Sequence, residues 1–333
     1  MATVPTHEVL DLRHFPAASL RELLEIECRI WNQRLRWDYR PAANLLAQYF
    51  DSRILPGFVT LEAGKATGYT FCVYEGSKAV IGDLFASGSD QPAIAQEAIL
   101  LRHMLEMLQN SPDVDRIESQ LLLHPHGALK DVFGEAGFIS YPRLFLEQKL
   151  ANRPIAEHLH AVPGNMELRS WTSDDFAAAA RLIPVAYSNH LDSQINDQYN
   201  SEAGARRFLH NIVRFPGCGV FDTDSSLVLA HRDSKELAGL LLCSRVREDV
   251  GHITQICIHP EYQRLGLGSL LLEHVSRSLE QAGLRLLTLT VTRDNHNAAE
   301  LYLARGFQLR HTFDARVWTK EAPHFATNQN LNR

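Results

Sequence analysis

Two glycines, Gly266 and Gly268, lie between an apolar strand and an apolar-faced helix, and they constrain this chain more than any other feature. The strand reads His252-Ile253-Thr254-Gln255-Ile256-Cys257-Ile258 and closes at His259-Pro260. The helical pattern runs from Ser269 to Leu279 and stops at Gly283. Between them stands Gln263-Arg264-Leu265-Gly266-Leu267-Gly268. Glycines at the mouth of a helix admit close approach of a ligand to the backbone, and the first N–H groups there lack intrahelical acceptors. With the positive end of the helix dipole and Arg264 alongside, these groups form a seat for a phosphate or pyrophosphate.

Such a turn alone arises by chance in roughly one chain in ten of this length, given glycine at about 7% of residues. The residues downstream raise its weight. Leu286 to Thr292 alternates as a strand. Asp294-Asn295-His296-Asn297 is a turn, and a short helix from Ala298 to Arg305 ends at Gly306-Phe307. Asn295 to Phe307 reads N-x-x-A-x-x-L-Y-x-x-x-G-F. Together these segments, about Gly239 to Trp318, resemble the acetyl-CoA-binding half of the GNAT superfamily of N-acyltransferases.

That resemblance implies a set of roles. Backbone N–H groups of Leu265, Gly266, Leu267, Gly268 and Ser269 would bind the pyrophosphate, with Gln263 and Arg264 at the rim. The preceding strand splays from its neighbour in this family, so Ile256, Cys257 and Ile258 would meet the pantetheine arm. Asn295 would contact the cofactor. Tyr302 would donate a proton to the departing thiolate, since a phenol of pKa near 10 is protonated at neutral pH; the competing reading is an amphipathic core tyrosine. The base is less defined. Many relatives carry a glutamate where this chain has Gln255, which cannot take a proton. His252 can, with an unperturbed pKa near 6.5, and it reads equally as a strand-end histidine. Cys257 reads as a small buried strand residue rather than a nucleophile.

The acceptor side is expected ahead of this core. A helix from Asp174 to Ser188 leads into a polar stretch, Asn189 to Tyr199. Asp192 can pair with an ammonium, and His190, Asn196 and Tyr199 can orient it; a solvated loop of turn formers is the other reading. Phe215-Pro216-Gly217-Cys218-Gly219 reads as a tight turn.

The 333 residues exceed one ordinary core, and the element order repeats. Strands at Gly68–Tyr74 and Ala79–Ala86, a helix at Ile94–Gln109, a strand at Ile117–Leu123 and Gly137-Phe138 mirror the C-terminal order. Phe133 then falls opposite Tyr302, and His126 opposite Asn295. Ser87-Gly88-Ser89-Asp90-Gln91-Pro92-Ala93 replaces the phosphate turn, with a carboxylate where a pyrophosphate would sit. This copy is therefore expected to bind no cofactor.

A net charge of −6 and the lack of long Lys/Arg runs disfavour nucleic acid. Five cysteines without C-x-x-C spacing, and sixteen histidines without ligand clustering, point to no disulfide framework and no metal site. His124-Pro125-His126 and His158-Leu159-His160 read as loop histidines. No stretch has the length of a signal peptide or membrane span, so a cytoplasmic protein is expected. The reading is an α/β (α+β mixed sheet) protein of two tandem GNAT-like domains, each a mostly antiparallel sheet flanked by helices. The expected bounds are 1–150 for the degenerate copy, 151–166 for a linker, 167–320 for the catalytic domain and 321–333 for a polar tail. The expected activity is transfer of acetyl from acetyl-CoA to a small-molecule or peptide amine; an acyl-CoA sensor or scaffold without turnover is the alternative.

Overall fold

The computed structural model describes residues 8–88, 90–151, 161–214 and 219–320. The turn expected at Phe215 to Cys218, His158-Leu159-His160, most of the linker and the polar tail lie outside these residues. The first half comprises β1 (Glu8–Asp11), α1 (Ala17–Leu35), α2 (Arg40–Ser52), β2 (Gly57–Glu62), β3 (Lys65–Glu75), β4 (Lys78–Ala86), α3 (Asp90–Gln109), β5 (Arg116–Gln120), α4 (Lys130–Glu135) and β6 (Ile139–Lys149). The second comprises β7 (Met166–Ser170), α5 (Phe176–Ala186), α6 (Asp192–Ile195), α7 (Glu202–Arg214), β8 (Val220–Phe221), β9 (Leu227–His231), β10 (Leu237–Arg247), β11 (Val250–Ile258), α8 (Leu267–Gln281), β12 (Leu286–Thr292), α9 (His296–Ala304) and β13 (Gln308–Thr319).

Local chemistry explains many of these bounds. Pro16 precedes α1, and its fixed φ suits a helix entry. Leu20, Leu23, Leu24, Glu27, Trp31 and Leu35 recur at three- and four-residue spacing and form the buried face of α1. Glu75 pairs with Lys78, so Gly76-Ser77 closes the β3–β4 hairpin, with Gly76 at φ +67°. A capping box joins Thr172 and Asp175 ahead of α5.

Among the described residues the strands form one sheet, in the order β1-β2-β3-β4-β5-β13-β6-β12-β11-β10-β9-β7, with β8 beside β10. Most neighbours are antiparallel. The two exceptions, β4 with β5 and β11 with β12, are parallel and occupy matching places in the two halves. The halves also exchange strands. β13, from the end of the chain, lies between β5 and β6 of the first half, and β6 pairs with β12 of the second. Each half therefore completes its sheet with the other's last strand.

The shared core follows from that exchange. Trp31, Leu35, Trp37, Leu123 and Phe145 from the first half pack with Val246, Val250, Leu286 and Phe313 from the second. Asp38 N–H donates to the Val246 carbonyl at 2.8 Å, and Arg36 pairs with Glu147 at 2.9 Å. The segment after α5 is also tied across the halves. Arg116 donates to the Gln194 carbonyl at 2.6 Å, Gln120 to Asn196 at 2.9 Å, and Gln198 to Glu75 at 2.9 Å. Much of the polarity between Asn189 and Tyr199 serves this junction.

Candidate active site

The site begins where two parallel strands part. β11 and β12 pair from Val250 opposite Leu286 to Ile253 opposite Leu289, and the ladder ends there. β11 continues to Ile258, held by β10 alone, so its edge from Thr254 onward faces an open fork. Ile256, Cys257 and Ile258 lie on this free stretch. The strands part because β12 stays with β6 through Thr292 opposite Arg143, whereas β11 stays with β10 through Ile258, with Thr254 as an extra residue where the separation starts.

Beyond Ile258, eight residues, 259–266, lead into α8. Gln263 Nε2 donates to the Ile258 carbonyl at 3.1 Å and pins the turn to the strand. Arg264 sits at φ +61° and Gly266 at φ +77°, where a side chain is strained. Gly266 caps α8 without a side-chain bond, and the N–H groups of Leu267, Gly268 and Ser269 meet no acceptor among the described residues. Gly268 has no such constraint: an added Cβ would only touch Leu301 Cδ2 at 3.7 Å. The turn thus presents unpaired donors at a helix N-terminus of fifteen residues, a fit for a pyrophosphate. In the first half β4 ends at Ala86 and α3 starts at Asp90, a shorter connection than the one that leads into α8.

Polar side chains converge on the fork. Tyr187 and Tyr199 stack at 4.4 Å, and both hydroxyls donate to Gln255 Oε1 at 3.4 Å. Gln255 Nε2 is buried without a partner among the described residues. Asp192 accepts from the Thr292 hydroxyl, and its N–H donates to His190 Nδ1 at 3.1 Å. His190 Nε2 stands 3.2 Å from Asn295 Nδ2, and Asn295 Oδ1 caps α9 at Ala298. Tyr302 is buried and packs edge-on to Phe307 at 5.8 Å. Burial pushes its phenol well above the usual range; Asp192 adds to this and Arg143 opposes it. Burial likewise raises the Cys257 thiol, which suits a core residue rather than a nucleophile.

Arg143 escaped sequence reasoning. It belongs to β6 of the first half, opposite Thr292, and strand exchange alone brings it here. Its guanidinium is buried, with Nη1 4.0 Å from Asp192, and its Nε and Nη1 make no hydrogen bond among the described residues. Tyr187 was likewise missed; its hydroxyl also lies 3.3 Å from the Ile256 carbonyl, and no motif marks it.

Two expected residues lie elsewhere. His252 sits below the fork, opposite Thr288 in the closed ladder. It packs edge-on to Trp37 at 4.9 Å and stacks on Phe145 at 5.9 Å, while Nδ1 contacts the Thr288 hydroxyl at 2.9 Å. Burial lowers its pKa to about 3, too weak and too enclosed for a base. Asn196 is engaged by Gln120 at the junction between halves, away from the fork. The His252 environment has a pH consequence. Its folded pKa lies below the unfolded value near 6.5, so the unfolded state binds more protons between about pH 3 and 6.5. Stability from this group is complete above pH 6.5 and declines as pH falls through that window. In thermal unfolding from pH 7 to 5, His252→Asn is expected to show a shallower fall in Tm than wild type, while keeping its turnover at pH 7. Unchanged pH dependence, or lost turnover in the folded variant, would contradict this placement.

Among the described residues no cluster of His, Cys, Asp or Glu is arranged to hold a metal, and no helix is long and apolar enough to cross a membrane.

Residues 188–307 match a family model described as the acetyltransferase (GNAT) family. Over 59 residues, 18% of this chain, the sequence is 42% identical to the ribosomal protein bS18-alanine N-acetyltransferase of Escherichia coli, covering 40% of that protein. Over 68 residues, 20% of this chain, it is 34% identical to the amino-acid acetyltransferase of Salmonella typhi, covering 15% of that protein. The chain thus spans less than half the length of these curated relatives. Its fold is similar to a tandem GNAT protein from the clavulanic acid biosynthesis pathway, at TM-score 0.62 and 16% identity, covering 95% of this chain and 99% of that one. It is also similar to a GCN5-related N-acetyltransferase from Sphaerobacter thermophilus, at TM-score 0.63 and 12% identity, covering 94% and 95%.

Proposed function

With the GNAT acyltransferase fold present twice in tandem as the premise, we propose that the protein transfers an acetyl group from acetyl-CoA directly to a primary amine. The reaction takes place at one site, in the C-terminal copy. The observation that carries this reading is the free edge of β11 running straight into the uncapped N-terminus of α8. Acetyl-CoA supplies an activated thioester when bound. The N–H groups of Leu265 to Ser269 hold its pyrophosphate, and the Ile256 to Ile258 backbone aligns the arm and polarises the acyl carbonyl.

Asp192 receives the acceptor's ammonium beside the fork and accepts its proton, with His190 and Tyr199 lining the approach. As the C–S bond breaks and the C–N bond forms, Tyr302 gives its proton to the sulfur, and the second proton that the nitrogen sheds on becoming an amide restores the Tyr302 hydroxyl. Arg143, close by, offsets the negative charge that grows there. The acceptor is a small molecule or a peptide amine, since the fold hosts many. The alternative reading, an acyl-CoA sensor without turnover, rests on Gln255, an amide at the place of the family's glutamate.

Release of free thiol from acetyl-CoA across a panel of small amines and peptide N-termini separates the two. Turnover is expected, and Asp192→Asn should raise KM for the amine at least tenfold, a loss of roughly 1.4 kcal/mol or more of charge-assisted binding. Binding of acetyl-CoA without thiol release for any amine would favour the sensor.

A further inference from the structure

The first half has its own fork, and it is built from different chemistry. β4 and β5 pair from Lys78 opposite Arg116 to Ile81 opposite Ser119 and then part. Both halves carry a bulge at the same place, with Gly82 the extra residue on β4 opposite Phe71 and Cys72, and Thr254 the extra residue on β11 opposite Leu242 and Cys243. Asp83, paired with Phe71, therefore holds the position that Gln255, paired with Leu242, holds in the second half. Both residues accept from a stacked aromatic pair, Gln255 from both of its tyrosines and Asp83 from Tyr39. Tyr39 donates to Asp83 Oδ2 at 2.9 Å, and Trp31 lies flat on Tyr39 at 4.7 Å.

A cavity of about 280 Å³ occupies this fork. Trp31, Trp37, Tyr39, Phe71, Asp83 and His124 are among the residues that line it. Its aromatic wall is continuous, since Trp31 also stacks on Trp37 at 5.4 Å. Behind it lies Glu27, fully buried, which accepts from Trp31 Nε1 at 3.0 Å and from the Tyr69 hydroxyl. Burial, with Asp83 next to it, pushes the Glu27 carboxyl well above the usual range. Asp83 itself is buried, and no Lys or Arg among the described residues pairs with either carboxyl. A buried carboxylate such as Asp83, which accepts from Leu84 N–H at 2.8 Å and from Tyr39 but meets no counter-cation among the described residues, is costly unless a cation from outside completes it. Two further buried atoms of the lining residues, Trp37 Nε1 and His124 Nδ1, lack partners among the described residues.

We propose that the fork of the N-terminal copy is a binding site for a small organic cation of the alkylammonium class, held by Asp83 and the rings of Trp37 and Tyr39, which Trp31 backs from between them. Carboxylate and aromatic faces both attract such a cation, and the attraction is strongest where water is excluded. The volume suits a ligand of a few heavy atoms. It does not suit a nucleotide. The site is separate from the acyl-transfer fork and does not depend on that reading.

The test uses the full chain, titrated with choline, with ethanolamine and with 3,3-dimethylbutan-1-ol, the neutral isostere of choline. Calorimetry and tryptophan emission report binding, since Trp31 and Trp37 line the cavity. At least one cation is expected to bind saturably at one site per chain, and choline at least about tenfold more tightly than its isostere. Asp83→Asn should weaken the cation at least tenfold, whereas Asp192→Asn should leave it unchanged. Failure of both cations to bind, or equal binding of choline and its isostere, would overturn the proposal. So would binding that survives Asp83→Asn and vanishes in Asp192→Asn, because the cation would then occupy the acyl-transfer fork. The isostere comparison needs no substitution, so it holds even if Asp83→Asn fails to fold.

Discussion

Tyr302→Phe is expected to lower kcat by roughly 10²–10⁴, the range for loss of a general acid, with acetyl-CoA affinity nearly unchanged. The substitution keeps the ring that packs on Phe307 and fills the core beside Leu271 and Val291. It removes only the hydroxyl. Burial and Asp192 hold that hydroxyl protonated far above neutral pH, so the acid is fully loaded wherever the protein is stable. Its loss should therefore depress turnover across the pH range rather than shift the profile. Steady-state kinetics with a good amine acceptor, beside calorimetric binding of acetyl-CoA, separates the possibilities. Near-normal turnover would give the proton to water or another group. Equal loss of binding and turnover would make Tyr302 structural.

Phe313→Ala should destabilise the whole chain by about 3–5 kcal/mol, the usual cost of emptying a buried phenylalanine site. That is a large share of a typical stability of about 5–15 kcal/mol. Phe313 is fully buried on β13, opposite Arg143 of β6, in the cluster that joins Trp31 and Trp37 to Val246 and Val250. Because each half finishes its sheet with the other's strand, the damage should not stay in one half. Denaturant unfolding followed by tryptophan emission and by far-UV circular dichroism should move together in a single transition. Two transitions, one at its wild-type midpoint, would mean that the halves fold independently despite the exchange.

The parts of this architecture that local pattern dictates were legible in the sequence. The strand at Leu286 to Thr292 was read at its observed bounds, because alternation and flanking turn residues define it. The glycine turn ahead of α8 was equally plain, since Gly266 supplies a positive φ that few other residues tolerate. Partner choice was not legible. Nothing in the residues of β13 says that it will lie between β5 and β6, so Arg143 gave no sign of reaching the second half's fork. His252 misled for a related reason. A histidine on the active strand reads as a base, and only the packing of Trp37 and Phe145, distant in sequence, encloses it. The stretch from Asn189 to Tyr199 looked uniformly polar, yet tertiary contacts divide it. His190, Asp192 and Tyr199 turn toward the fork, whereas Asn196 and Gln198 bind the first half.

Calorimetric titration of the full chain with acetyl-CoA, repeated on Gly268→Asp, tests the central claim most directly. An aspartate at this position should not harm the fold, since its Cβ meets only Leu301 at ordinary contact distance and a carboxylate in the first helical turn is favourable. It would, however, place negative charge where the pyrophosphate must sit. One binding site per chain is predicted for wild type, and none for Gly268→Asp at an unchanged melting temperature. Two sites per chain, or a single site that persists in folded Gly268→Asp, would contradict the assignment of the cofactor to the C-terminal fork.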